Sequence, residues 1–292
     1  MPETVLVTGG TGFIGAWCIH ELSARGYDVR TTVRRRREGM PAGVAVFEAD
    51  LTDDAGWADA MDGATYVLHV ASPLGFDNPA NPDDLIVPAV EGTKRVMRAA
   101  IDAGVRRVVM TSACAAAQPD DISVDSVTDE SLWSNPDAPS MNAYRKSKVL
   151  AERAAWEFAD RIELVTILPG AVFGPVLSPD TQGSVQIIGL IASGNLEGFP
   201  NMRFEVVDVR DLVDIHLRAL TTPAAAGERF IAVGDFMSVE DIAAALGVEA
   251  KVVPDAVERN HRHSAAKARR VLRWTARPGV DTVVDCARSL RP

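Results

Sequence analysis

The chain has 292 residues, 47% of them apolar and 24% charged, with a formal net charge of −10. That length and apolar share suit one large domain or two closely joined ones around a buried core. The acidic balance argues against nucleic acid or an anionic membrane as partner, and no run approaches the roughly 18 apolar residues of a membrane span.

Apolar, β-branched runs alternate with helical spacing through the first 170 residues. Strands are predicted at Thr4–Thr8, Asp28–Val33, Val44–Glu48, Thr65–Val70, Arg106–Thr111 and Ile162–Leu168. Between them, helices are predicted at Phe13–Arg25, Asp54–Met61, Asp83–Ala103 (interrupted by Pro88) and Asn142–Ala159. Such alternation argues for a doubly wound parallel sheet of α/β class, a Rossmann-type fold covered on both faces. After Pro169 the pattern loosens around a candidate helix at Gln182–Ala192. A strand-like F-E-V-V, the amphipathic R-D-L-V-D-I-H-L-R-A-L and a strand at Arg229–Val233 follow, then short helices around a polar stretch at Asn260–His263. The expected division is a dinucleotide-binding domain over 1–169, to which 203–235 returns, and a smaller, partly interleaved substrate-binding region over 170–292. No basic-then-apolar leader precedes the first strand. Cys18, Cys114 and Cys286 are odd in number and far apart, which reads as free thiols in a reducing compartment, the cytoplasm.

The string T-G-G-T-G-F-I-G at 8–15 lies between the first strand and first helix. A turn built mostly of glycine lets backbone amides approach a pyrophosphate at the positive end of a helix. Gly9 permits the turn, Gly12 the close approach and Gly15 the packing of helix on sheet, with Thr11, Phe13 and Ile14 beside the ligand. A dinucleotide site specific for NAD places a carboxylate about 20 residues on. Here that place holds Val33 and then Arg34, Arg35, Arg36 and Arg37. Guanidinium groups bind a 2′-phosphate bidentately, so NADP(H) is the expected cofactor, with Arg34 the first clamp and Arg35 the second. Asp50-Leu51 follows the third strand and reads either as an adenine contact or as a helix cap. Val70, Ala71 and Ser72, within H-V-A-S-P, pass along the diphosphate and riboses. His69 reads as a satisfied core residue.

Tyr144 and Lys148 are four apart in Y-R-K-S-K and share one helix face. A phenol ordinarily titrates near about 10. A neighbouring ammonium and an oxidised nicotinamide stabilise its phenolate and suit it to acid–base work. Lys148 can also hold the ribose hydroxyls.

At this point the chain resembles the extended short-chain dehydrogenase/reductases, closest to the dihydroflavonol reductase-like aldehyde and ketone reductases. The carrying residues are V-T-G-G-T-G-F-I-G, T-V-R, D-L, H-V-A-S-P, V-V-M-T-S, Y-R-K-S-K, L-P-G-A-V-F-G-P and V-D-V-R-D-L-V-D-I-H-L-R-A-L. The resemblance implies that Tyr144 protonates the carbonyl oxygen as hydride arrives from the pro-S side, and that Lys148 binds the ribose. It also implies that Thr111 and Pro169, Gly170, Ala171 and Val172 line the nicotinamide pocket. The partner is then a small carbonyl or alcohol substrate, acted on by a monomer or homodimer. Relatives carry T-S-S after the fifth strand, the second serine orienting the carbonyl; here the string is T-S-A-C, with Ala113 in that place. Ser112 is the remaining catalytic candidate, although in a regular strand it points to the other face. Water, Thr111, Asn142 or a substrate group are the alternatives. A hydroxysteroid dehydrogenase or a nucleotide-sugar epimerase shares the turn and the Tyr–Lys pair, and Arg34–Arg37 argues against the epimerase. A non-catalytic NADP-binding redox sensor is the reading from another class. Trp133, Phe173 and Phe199 are candidate pocket walls or ordinary core.

Overall fold

Continuous apolar runs become buried strands because helices cover both faces of the sheet they form. The computed structural model describes residues 2–35, 42–73, 79–139, 141–178, 183–255 and 259–290. In chain order the first half runs β1 (Thr4–Thr8), α1 (Phe13–Ala24), β2 (Asp28–Val33), β3 (Ala45–Glu48), α2 (Trp57–Met61), β4 (Tyr66–His69), α3 (Asp83–Asp102) and β5 (Arg107–Thr111). A 3-10 turn at Cys114–Ala117 and β6 (Val127–Thr128) lead to α4 (Ala143–Trp156) and β7 (Glu163–Pro169). Then come β8 (Ala171–Phe173), α5 (Val185–Ala192), β9 (Arg203–Asp208), α6 (Val209–Thr221) and β10 (Glu228–Ala232). The chain ends with β11 (Phe236–Ser238), α7 (Val239–Leu246), β12 (Arg262–His263), α8 (Ala266–Leu272) and α9 (Gly279–Ser289).

The central sheet has the order β3-β2-β1-β4-β5-β7-β10, and its pairings are parallel. Side chains alternate between two apolar layers. Val5 and Val7 of β1 pack with Ile19 and Leu22 of α1 and with α6, while Leu6 packs with Val96 and Met97 of α3 and Ala151 of α4. The strand order reverses between β1 and β4, and ligands of open α/β sheets bind at that switch, outside the carboxyl ends of the strands. Within 203–235, β10 pairs with β7 in the central sheet, whereas β9 pairs with β8 and β11 in a separate three-stranded sheet. Phe173, Ile188, Val206, Ile242 and Val283 form the core of this smaller region, with Phe199 packed against it.

At the opposite rim the buried Arg107 donates to the carbonyls of Ala219, Leu220 and Thr222 at the end of α6, and to Glu163 at 2.8 Å. Two helices differ from expectation. Asp53 accepts from the Ala55 amide at 2.9 Å and Gly56 has φ 83°, so a turn precedes α2 and delays its start to Trp57. α3 runs through Pro88, whose missing donor would have served the carbonyl of Asp84 near the helix start, at an exposed position where the loss costs little. Among the described residues, no helix is long and apolar enough to cross a membrane.

Candidate active site

The glycine turn is set by close packing. A Cβ on Gly10 would stand 2.1 Å from Thr31 Oγ1, and one on Gly15 would stand 2.3 Å from the carbonyl oxygen of Gly9. Gly9, at φ 73°, and Gly10 donate their amides to the Thr32 carbonyl, which binds the turn to β2. Gly12 begins α1 in extended geometry, with no side chain capping the helix and no acidic residue in its first turn. That leaves the positive helix end to an anion, and the turn fits a pyrophosphate. Gly10 is a packing requirement that motif reading did not single out; its signal was the tight Gly9–Gly10 pair.

β2 ends at Val33, and Arg34 and Arg35 follow it as exposed residues. Arg36 and Arg37 lie outside the described residues. Asp50 Oδ1 accepts from both the amide and the hydroxyl of Thr52 at 2.8 Å. These bonds, with the charge of Arg34 in support, hold its carboxyl below the usual carboxylate range. Arg34 and Asp50 thus border the same edge of the sheet. Leu51 packs against α3, where a Cβ on Gly92 would come within 2.7 Å of its own Cβ.

Thr8 Oγ1 pairs with His69 Nδ1 at 3.0 Å and accepts from the amides of Val70 and Ala71. The neighbouring main chain therefore has a fixed course past the glycine turn. Burial, then the charge of Lys148, pushes His69 down to about 4, so it is neutral.

The α4 helix starts at a side-chain cap: Asn142 Oδ1 accepts from the Arg145 amide at 2.9 Å. One turn later Lys148 is buried, its Nζ 5.2 Å from the centre of the Tyr144 ring and donating to Ser72 Oγ at 2.6 Å. The structure thus brings Tyr144, Lys148 and Ser72 together. Burial raises the Tyr144 pKa and lowers that of Lys148 to about 8. In the chain alone, desolvation therefore outweighs the expected pull of the ammonium on the phenol.

The hydroxyls after β5 are engaged elsewhere. Ser112 Oγ donates to Glu152 at 2.6 Å, and Thr111 Oγ1 pairs with His216 Nε2 at 2.8 Å. His216 Nδ1 pairs with the Leu212 carbonyl at 2.6 Å, which makes Nε2 the acceptor from Thr111. Ala113 is extended and opens the 3-10 turn. At Pro169–Val172, Gly170 donates to the Ala232 carbonyl, and its Cα faces β9, where a Cβ would stand 2.1 Å from the Glu205 carbonyl oxygen. Ala171 and Val172 pair with Val206 and Val207.

Buried ligand atoms of Cys114, Glu205 and His263 lie within 4.8 Å of one another. Their neighbours already engage Glu205 and Cys114. Glu205 accepts from His263 Nδ1 at 2.6 Å, from the His263 amide and from Arg259 Nη2 at 3.2 Å. Burial pushes the Cys114 thiol up, so it stays protonated and donates to the Leu168 carbonyl at 3.2 Å. Of the candidate walls, Phe173 is fully buried in the smaller core and Trp133 stacks under Arg229.

The model of the NAD dependent epimerase/dehydratase family matches residues 5–234. The chain belongs to this family. Cinnamoyl-CoA reductase 1 of Petunia hybrida is 38% identical over 240 residues, 77% of this chain and 71% of that one. Dihydroflavonol 4-reductase of Zea mays is 33% identical over 263 residues, 83% of this chain and 73% of that one. The structure of Gre2 in complex with NADPH from Candida albicans superposes with a TM-score of 0.86 at 27% identity, over 99% of this chain and 98% of that one. Within the epimerase/dehydratase family the chain falls in the extended, dihydroflavonol reductase-like group, and it is an oxidoreductase of carbonyl and alcohol groups.

Proposed function

We propose that this family member reduces an aldehyde or ketone to an alcohol, with Tyr144 giving the proton. The cofactor is NADP(H). When bound, it supplies the hydride. The residues suited to hold it are Gly9, Thr11, Gly12, Phe13, Ile14 and Gly15 at the diphosphate, Arg34 and Arg35 at the 2′-phosphate, and Asp50 and Leu51 at the adenine. Val70–Ser72, Thr111 and Pro169–Val172 would border its riboses and nicotinamide.

The single observation that carries the reading is the placement of a buried ammonium over the Tyr144 ring at the carboxyl rim of the sheet. Burial keeps the phenol protonated at neutral pH, which is the form that donates to a nascent alkoxide. Lys148, titrating at about 8, is largely charged there and can hold a ribose hydroxyl with the ammonium it now directs to Ser72. Tyr144 would give its hydroxyl proton to the carbonyl oxygen as that oxygen gains charge. Ser112, with its hydroxyl on Glu152, supports the helix rather than the substrate in this scheme. Cys18, Cys114 and Cys286 are free and buried, in keeping with a reducing, cytoplasmic setting.

Absorbance loss of reduced cofactor over a panel of aldehydes, ketones and ketosteroids tests the proposal. Turnover is expected with at least one carbonyl class. Tyr144→Phe should lower kcat by about a hundredfold or more and leave NADPH affinity unchanged. A mutant with wild-type kcat would refute the assignment.

A further inference from the structure

Arg229, near the start of β10, is buried and uses all five of its N–H donors. Nε donates to Glu152 Oε1 at 2.8 Å, and Nη2 to Glu152 Oε2 at 3.3 Å and to the Ala116 carbonyl at 3.0 Å. Nη1 donates to the carbonyls of Glu130 and Leu132 at 2.7 and 2.8 Å. The guanidinium carbon stands 3.7 Å over the Trp133 ring. Glu130 closes the loop by accepting from the Ile231 amide at 2.9 Å.

Glu152 is fully buried on α4, four residues beyond Lys148 and eight beyond Tyr144, so the three form one stripe. Besides Arg229 it accepts from Ser112 at 2.6 Å and Thr166 at 2.7 Å, which ties α4 to the residue after β5 and to the middle of β7. Stability alone does not call for such a pair, because well-packed apolar residues of similar volume are often as good. What an apolar pair lacks is the reach to three carbonyls. Beyond the 3-10 turn that ends at Ala117, the segment 116–133 holds only the two-residue β6 as regular structure, and β6 pairs with β12 beside the Glu205–His263 cluster. Arg229 fixes the segment near its two ends, at Ala116, Glu130 and Leu132, while residues 260–264 bond its middle at Ile122, Ser126 and Thr128.

We propose that Arg229 and Glu152 are a positioning pair that holds the Tyr144–Lys148 helix and the segment 116–133, which ends at the candidate wall Trp133, in one register. The consequence for catalysis rests on the reading of Tyr144 and Lys148 given above. Substrate turnover should depend on the pair, and cofactor binding should not.

Arg229→Lys keeps the charge and removes the planar fork. It is expected to lower kcat/KM by about tenfold or more, with NADPH Kd unchanged. Hydrogen exchange should accelerate together in 116–133 and the first turns of α4, while β1 and β2 stay protected. Ser112→Ala, which leaves the ion pair intact, should show the same pattern with a fall of about two- to threefold. A variant that melts earlier yet matches wild-type kcat/KM per folded molecule would make the pair purely structural and overturn the proposal. Faster exchange confined to 116–133 would overturn it as well. If Arg229→Lys does not fold, Ser112→Ala decides by the same readouts. If the wild-type protein reduces no carbonyl, the proposed function fails, and the exchange pattern still decides whether the two segments are coupled.

Discussion

Lys148 Nζ and Ser72 Oγ lie 2.6 Å apart, joining the helix that carries Tyr144 to the segment that follows β4. The ammonium is buried, and burial lowers its pKa to about 8. Its charge is therefore lost just above physiological pH. NADPH affinity is expected to fall as pH rises through about 8, and Lys148→Met should flatten that dependence. Cofactor titrations from neutral to alkaline pH check it. Stability has the opposite sign. Between about 8 and the ordinary lysine value of 10.5 the folded chain binds fewer protons than the unfolded one, so this group's contribution rises with pH. Melting curves of wild type and Lys148→Met across that window should diverge in favour of wild type.

Arg34 stands directly after β2, close enough to Asp50 for its charge to act there. Removing a guanidinium from a phosphate costs about 1.5–3 kcal/mol. Arg34→Ala should weaken NADPH by about tenfold or more and NADH far less, as read by parallel fluorescence titrations. An equal loss for both cofactors would move the phosphate clamp elsewhere.

Gly10 has no room for a methyl group, with Thr31 Oγ1 at 2.1 Å and Ile19 Cδ1 at 2.6 Å from the position a Cβ would take. Gly10→Ala should cost about 1–3 kcal/mol of stability and impair cofactor binding by displacing the turn. Thermal unfolding with and without NADPH measures both. A variant with the wild-type melting temperature and affinity would show that the turn yields freely.

Ala113 occupies the place where the resemblance expects a serine. Its neighbours Thr111 and Ser112 direct their hydroxyls to His216 and Glu152. If a missing donor limits the rate, Ala113→Ser should raise kcat, by up to about tenfold, with KM for NADPH unaltered. A steep fall in kcat would mean that another group already fills that position.

The central strands were legible because Val5–Val7, Tyr66–Leu68 and Val108–Val109 are apolar on both faces. The glycine turn and the Tyr144–Lys148 spacing were legible because each has a fixed local geometry. Other features depend on distant partners. β6 and β12 are two residues long, and Val127 is exposed, so no periodicity marks them. Glu152 and Arg229 read in isolation as ordinary solvated charges; only the four-residue step from Lys148 hinted that Glu152 points inward. The raised pKa of Tyr144 was not legible either, because it arises from tertiary burial and not from the lysine beside it.

Arg107 gives the scaffold a division of labour along the strand direction. Clamped to Glu163 and to three carbonyls where α6 ends, it makes one pole of the sheet a rigid footing. The carboxyl ends of the strands, where open α/β sheets bind ligands, and the loops after them lie at the other pole. Variation in those loops, by descent or by directed evolution, can explore new substrates without disturbing that anchorage, whereas a lesion at Arg107 would handicap every variant alike.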